Sequence, residues 1–381
     1  MDKNEYRKNA YNMIELTVCA INGSVPDKSL LDNIDRAALF EVCETHILTA
    51  CVSYALESAG LKYDEFSEAK NKAIRKNIIL DTERKKILAQ LEKEGIWYMP
   101  LKGALLKDWY HKLGMRQMSD NDILCDNNAR DRIKDIMIGL GFTCDKFGKS
   151  VDDTYLKEPV SNFEMHGGLF PKGDFYSALT EYYSNVKERL IKDDKNSYGY
   201  HFSNEDFYIY MIAHEFKHYS EGGTGVRSLV DIYVFHKKFG KVLDMDYIQR
   251  ELAKMSMDDF ERGTRELAFK LFERAELSDA EKAELDYYIL SGTYGVVAHK
   301  GQNMAERNLR KEGYDTGTKY LLKRIFPPME QIKESYPFYY RHKLLIPFLW
   351  IKRGVKFIFV GKVRKRIIAE FNYLHDKKNK K

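Results

Sequence analysis

The sequence predicts an α+β chain, with a small mixed β-sheet in the middle and helical regions before and after it. Three observations carry this expectation. Apolar residues recur at helical spacing through residues 5–95 and again from about 174 onward. Between these stretches the texture changes to short apolar, β-prone runs bounded by Gly and Asp. With 44% hydrophobic and 31% charged residues, 381 residues can build a sizeable core, which excludes wholesale disorder. The expected organisation is an N-terminal helical region (1–95), a sheet core (96–173) and a C-terminal helical domain with a basic tail (174–381).

Each element has its own signal. Phe40, Cys43, Ile47, Cys51 and Ala55 recur at helical spacing, as do Ala73, Ile74, Ile78, Ile87, Leu88 and Leu91 in a longer segment. Gly95 stands where a helix stop belongs. Ile96 to Leu101 is a short β-prone run closed by Lys102-Gly103, and Ala104 to His111 reads as helix. A loop from Lys112 to Met118 leads to the strand-like Ile123-Leu124-Cys125. Residues 129–140 return to helix, with Ile133, Ile136, Met137 and Leu140 on one face. Two further strands are expected near 142–147 and 160–166. The helices that follow are punctuated by Gly222-Gly223, Gly225, Pro327-Pro328 and Pro337.

Composition narrows the function classes. Five scattered cysteines without a CxxC pair exclude a zinc ribbon and a disulfide scaffold, and they fit a reducing compartment. The polar start, MDKNEYRKNAYN, is unlike a signal peptide, and no run of 18 apolar residues would span a membrane. A cytoplasmic location is expected.

The chemistry is concentrated in Ser119-Asp120-Asn121-Asp122-Ile123-Leu124. Side chains alternate along a strand, so Asp120 and Asp122 share a face. Two carboxylates there repel one another and suit a cation such as Mg²⁺, which takes a few carboxylate oxygens together with phosphate oxygens and water. An exposed pair at the start of an edge strand is the plain alternative. Upstream, Lys102-Gly103 precedes a helix, where glycine admits a phosphate and Lys102 adds a point charge. Downstream, Ser161 to His166 is strand-like and puts Glu164 and His166 on one face, so Glu164 can serve as a third carboxylate. Three acids and a phosphate-cradling turn fit a site that moves a phosphoryl or nucleotidyl group. Arg116, just before the aspartates, is either a solvated loop residue or a neutraliser of triphosphate charge.

These motifs together resemble the uncharacterised nucleotidyltransferase family of the polymerase-β-type superfamily. The matching string is Leu101-Lys102-Gly103, Trp109-Tyr110, Arg116 and Ser119 to Leu124, followed by the acidic-x-His of Glu164-Met165-His166. His214 to Phe235 and Phe326-Pro327-Pro328 are similar as well. The resemblance implies a nucleotidyltransferase sheet core and Mg²⁺- or Mn²⁺-dependent transfer of an NMP from an NTP, in the first instance ATP. The acceptor, a small molecule or a protein, is left unidentified. Asp120, Asp122 and Glu164 would be the catalytic metal ligands. Lys102, Gly103, Arg116, Ser119 and His218 would bind the nucleotide. The superfamily usually opens its site with Gly-Ser, whereas this chain has Lys102-Gly103-Ala104, and its third acid is Glu164 where many relatives have aspartate. The alternative is a non-catalytic module of the same fold that binds a polyanion or a protein partner.

Two further features compete for attention. His214-Glu215-Phe216-Lys217-His218 is a literal HExxH, the zinc-hydrolase pattern, but it lacks the glycine-turn extension to a third histidine. Asp231 could stand in as an acidic ligand and is better explained as the i+4 partner of Arg227. The last 41 residues, 341–381, hold 13 Lys/Arg against 2 Asp/Glu, which makes the rest of the chain net acidic. A solvated end is the plain reading, and a weak polyanion or membrane-surface contact is the other. Phe338–Val360 is apolar enough to pack and basic enough to lie on a membrane; Pro347 and Gly354 are expected to prevent a single uninterrupted amphipathic helix, which favours core packing.

Overall fold

The computed structural model describes residues 1–171, 173, 176–296, 299, 303, 326–329, 332–333, 336–359, 361, 364–365 and 367–368. The end of the basic tail, 369–381, lies outside the described residues. The chain divides into two compact units, one formed by 1–216 and 226–289, the other by 217–225 and 290–381.

The first unit opens with helices α1 (Lys3–Asn22), α2 (Lys28–Leu31), α3 (Arg36–His46), α4 (Thr49–Ser58) and α5 (Asp64–Lys93). Asp2 caps α1 by accepting from the Asn4 and Glu5 amides at 2.8 and 2.9 Å. The helical spacing through Phe40–Ala55 belongs to two helices, because Ile47 adopts a left-handed φ of 54° between α3 and α4. In α5, Phe66, Ala73, Leu80, Ile87 and Leu91 form the buried stripe. It ends as expected at Gly95: the Gly95 amide donates to Glu92 C=O and the Ile96 amide to Leu91 C=O, with Gly95 at φ +66°.

The sheet strands are β1 (Tyr98–Pro100), β2 (Asn121–Cys125), β3 (Thr143–Lys146), β4 (Asp152–Lys157) and β5 (Ser161–His166), in spatial order β1-β2-β5-β4-β3. Only β2 and β5 run parallel; the other neighbours are antiparallel. The expected small mixed sheet is therefore present. Strand β4 was not anticipated. The helical run after Lys102-Gly103 is a short helix α6 (Lys102–Leu106) and a 3₁₀ turn, Lys107–Trp109. Helix α7 (Arg130–Gly139) packs with α5 against one face of the sheet. Leu80, Ile87, Leu91, Ile133 and Met137 meet Ile123, Tyr155, Phe163 and Met165 there in one dry core.

The remaining elements of this unit are helix α8 (Ser177–Tyr182), the two-stranded ribbon β6 (Ile191–Lys192) with β7 (Tyr200–His201), and helices α9 (Asn204–Gly222), α10 (Arg227–Phe239), α11 (Met245–Ala253), α12 (Asp258–Phe272) and α13 (Asp279–Ser291). The ends of α9 and α13 pass into the second unit. There the Val296 amide donates to Gly222 C=O at 2.8 Å.

Further along the second unit lie α14 (Pro337–Arg341) and α15 (Ile346–Phe359). As expected, the stretch from Phe338 is not one helix, since α14 ends at Arg341 and α15 begins at Ile346, but Gly354 does not interrupt α15. Pro347 sits at its second residue, where the missing N–H has no intrahelical partner to lose. Core packing holds for part of this segment: Ile346 and Leu349 are buried with Ile332 among Tyr336, Tyr339, Tyr340 and Trp350. Among the described residues no helix is long and apolar enough to cross a membrane.

Candidate active site

Alternation along the sheet builds the site. In β5, Ser161, Phe163 and Met165 are buried, so Asn162, Glu164 and His166 point to the opposite face. The parallel register sets Asp122 beside Glu164 and Leu124 beside His166. Across the antiparallel edge, Thr154 faces Glu164 and Asp152 faces His166. One face of the sheet is thus core and the other carries acids. An oxygen of Asp122, an oxygen of Glu164 and a ring nitrogen of His166 lie within 4.8 Å of one another. His166 Nε2 is 3.4 Å from Asp122 Oδ1 and 3.6 Å from Glu164 Oε2. Its Nδ1 is buried with no hydrogen-bond partner.

Asp120, just before β2, is outside that group of three donors but inside its field. Burial and the Asp122 charge push its carboxyl up to about 6, against the pull of Arg227, Arg116 and Lys76. Burial and the Asp122 and Asp120 charges push Glu164 up to about 7. Burial works to lower His166, but its bond to Asp122 and the nearby carboxylates outweigh it, leaving the ring above its ordinary value. Acids that raise one another in this way hold an unmet demand for positive charge.

The cations stand on the loop and helices beside Asp120. The Lys76 ammonium on α5 donates to Ser119 C=O at 2.7 Å. The Lys102 ammonium donates to His214 Nδ1 at 3.3 Å and lies 4.0 Å from Glu215 Oε2. Burial lowers its pKa, opposed by Glu215 and Asp231. Gly103 is tightly packed: a Cβ there would come within 3.0 Å of Met118 Cε and 3.2 Å of Arg116 Nη1.

Arg116 is almost wholly buried and makes a bidentate bond to Asp231, Nε to Oδ1 at 2.7 Å and Nη2 to Oδ2 at 2.9 Å. Tyr110 OH donates to the same Oδ1 at 2.7 Å. This corrects the pairing of Asp231 with Arg227: the forked guanidinium of Arg116 claims both carboxylate oxygens. Arg227 instead donates to Gln117 C=O at 3.2 Å.

The same bond removes Asp231 as a ligand for the HEFKH segment. Among the described residues the three-donor group is Asp122, Glu164 and His166, and HEFKH contributes nothing to it. His218 belongs to the second unit, whereas Lys102, Gly103, Arg116, Ser119, Asp120, Asp122 and Glu164 all belong to the first.

Sequence reasoning placed His166 on the right face without counting it as a donor. It missed Asp152 and Lys76, and it gave Arg227 only as a partner of Asp231. For Asp152 the signal was the unrecognised strand β4. Lys76, on a long charged helix, carries no local signal at all.

No curated protein and no solved structure matches the chain. A family model described as uncharacterised nucleotidyltransferase matches residues 32–273. That span runs from before α3 through the end of α12 and contains the whole sheet and every group of the carboxylate face. By fold, by motif and by extent of match, the chain belongs to this nucleotidyltransferase family.

Proposed function

We propose that the protein transfers an NMP from an NTP, ATP in the first instance, to an acceptor hydroxyl or similar group, with Mg²⁺ or Mn²⁺ held by Asp120, Asp122 and Glu164. The observation that supports this most is the parallel pairing of Asp122 with Glu164, which gathers two carboxylates and His166 within 4.8 Å. Hard carboxylate oxygens suit Mg²⁺ and Mn²⁺ alike. Their mutual repulsion, visible in the raised Asp120 and Glu164 carboxyls, fits a divalent ion better than protons near neutral pH. When bound, the metal supplies electrostatic stabilisation of charge developing on the phosphate oxygens.

The chain's own groups then divide the remaining work. His166, within reach of both Asp122 and Glu164, orients the two carboxylates. Glu164 completes the metal set or takes the acceptor's proton, a task suited to a carboxyl near pH 7. Lys102, Gly103 and Ser119 steady the triphosphate. Arg116 has two of its nitrogens committed to Asp231, so its service is to fix the loop that carries Ser119 and Asp120.

Calorimetric titration with NTP and Mg²⁺ tests the reading. Wild type is expected to bind and Asp122→Ala to lose binding; absence of binding by wild type would sink the proposal. Pyrophosphate release across a panel of acceptors, the protein itself included, is expected to fall at least ~100-fold in Asp120→Asn.

A further inference from the structure

The outer face of α15 is the least satisfied surface in the described part of the second unit. Phe348, Ile351 and Val355 stand at i, i+3 and i+7 on one face of α15, and Leu344 precedes them in the 3₁₀ turn Lys343–Leu345. Leu344 is 93% exposed, Phe348 and Ile351 62% each, and Val355 48%. The opposite side already packs, through Ile346 and Leu349, so the stripe is a second apolar face rather than a misplaced core. Exposed Lys343 and Lys352 flank it. From Tyr336 to Ala369 the sequence has nine Lys/Arg and no Asp/Glu.

We infer that this stripe docks on the surface of an anionic lipid bilayer, with α15 lying in the interface plane. An apolar face bordered by cations is the pattern of an interfacial helix: the aliphatic and aromatic groups enter the acyl boundary and the lysines meet anionic headgroups. Among the described residues no helix is long and apolar enough to cross a membrane, so the stripe is an interfacial face. A second copy of the chain fits poorly, because two such faces would oppose cation to cation with no acid to pair them. A polyanion such as RNA would account for the lysines and leave the apolar stripe without a purpose.

Vesicle co-sedimentation of the full chain tests this. Phosphatidylglycerol-rich vesicles are expected to bind it at low salt, pure phosphatidylcholine vesicles much less, and raised salt should weaken the binding several-fold. Phe348→Ser with Ile351→Ser should weaken it roughly tenfold or more, and Lys343→Glu with Lys352→Glu by a similar factor. All four positions are exposed, and unchanged circular dichroism and melting would show that the variants fold. Equal binding to both vesicle types, no binding to either, or binding untouched by the apolar pair would each overturn the inference. So would sedimentation equilibrium showing a dimer lost in the apolar variant while wild type ignores vesicles. RNA binding that persists in the apolar variant, without vesicle binding, would overturn it too.

Discussion

Asp231 gathers three donors in a buried site: two nitrogens of Arg116 and the Tyr110 hydroxyl. Replacing it strands a guanidinium that has no water to turn to. Asp231→Asn should therefore cost ~3–5 kcal/mol in urea unfolding. Arg116→Met combined with Asp231→Leu should recover much of that loss, because the pair's worth is largely mutual compensation. A small loss in the single variant would show that the pair is more hydrated than it looks. Arg116 and Asp231 lie 115 positions apart. Nothing local announced the bond, and the helical i+4 arginine, Arg227, offered a nearer but incorrect partner.

His46 gives a second residue-scale expectation. Its ring is fully buried, and its Nδ1 accepts from the Val226 amide at 3.2 Å, which requires the neutral form. Burial lowers its pKa from 6.5 to about 4. Between those values the unfolded chain holds the extra proton, so this contribution is complete above pH 6.5 and is lost as pH falls toward 4. The loss should reach roughly 2–3 kcal/mol. Asp120 and Glu164, raised in the fold, act with the opposite sign in metal-free buffer and gain stability on acidification. The difference between wild type and His46→Asn isolates the histidine, since Asn keeps an acceptor in place of Nδ1. That difference should shift toward the variant as pH falls, and a pH-independent difference would contradict the assignment.

At the scale of elements, strand β4 shows why part of the site was not legible. Its inward positions are Asp153 and Tyr155, and a buried aspartate inverts the apolar-in pattern that marks a strand. Asp153 is tolerated because Arg130 on α7 binds it through Nε and Nη2, at 2.5 and 2.6 Å. Recognising the strand required knowing its helix neighbour. The strands carrying Asp122 and Glu164 were legible because Ile123, Cys125, Phe163 and Met165 point inward and the acids fall on the alternate positions. The loop between α6 and β2 is set by close packing. Gly114 has φ +78°, and a Cβ there would lie 2.9 Å from the backbone nitrogen of Ile74 in α5. Gly114→Ala is therefore expected to destabilise by ~1–3 kcal/mol, since both the conformation and the neighbouring backbone oppose it. Thermal melts of the variant beside wild type would show this, and an unchanged midpoint would mean that the loop can move away from α5 at little cost.

For the whole molecule, the α+β class and the place of the sheet were readable because the middle span differs in apolar period from the helical spans on either side. How the helices after the sheet would be apportioned was not readable, because contacts between distant stretches decide it. Residues 217–225 belong with the chain that follows 290, while the helices between them join the sheet's unit. The carbonyl of Gly222 takes its hydrogen bond from Val296.

That bond has a consequence for how the chain is made. The ribosome releases the end of α9 well before it has synthesised Val296, with more than seventy residues still to come. At ~5–20 residues per second that is a wait of several seconds. During that interval the first unit has its whole chain except the last helices, while the glycine-rich end of α9 stays in water without its partner. A nascent chain halted before residue 290 would thus carry a segment whose final contacts do not yet exist. Slow codons in the stretch between would lengthen its exposure to proteases and chaperones without altering a single residue.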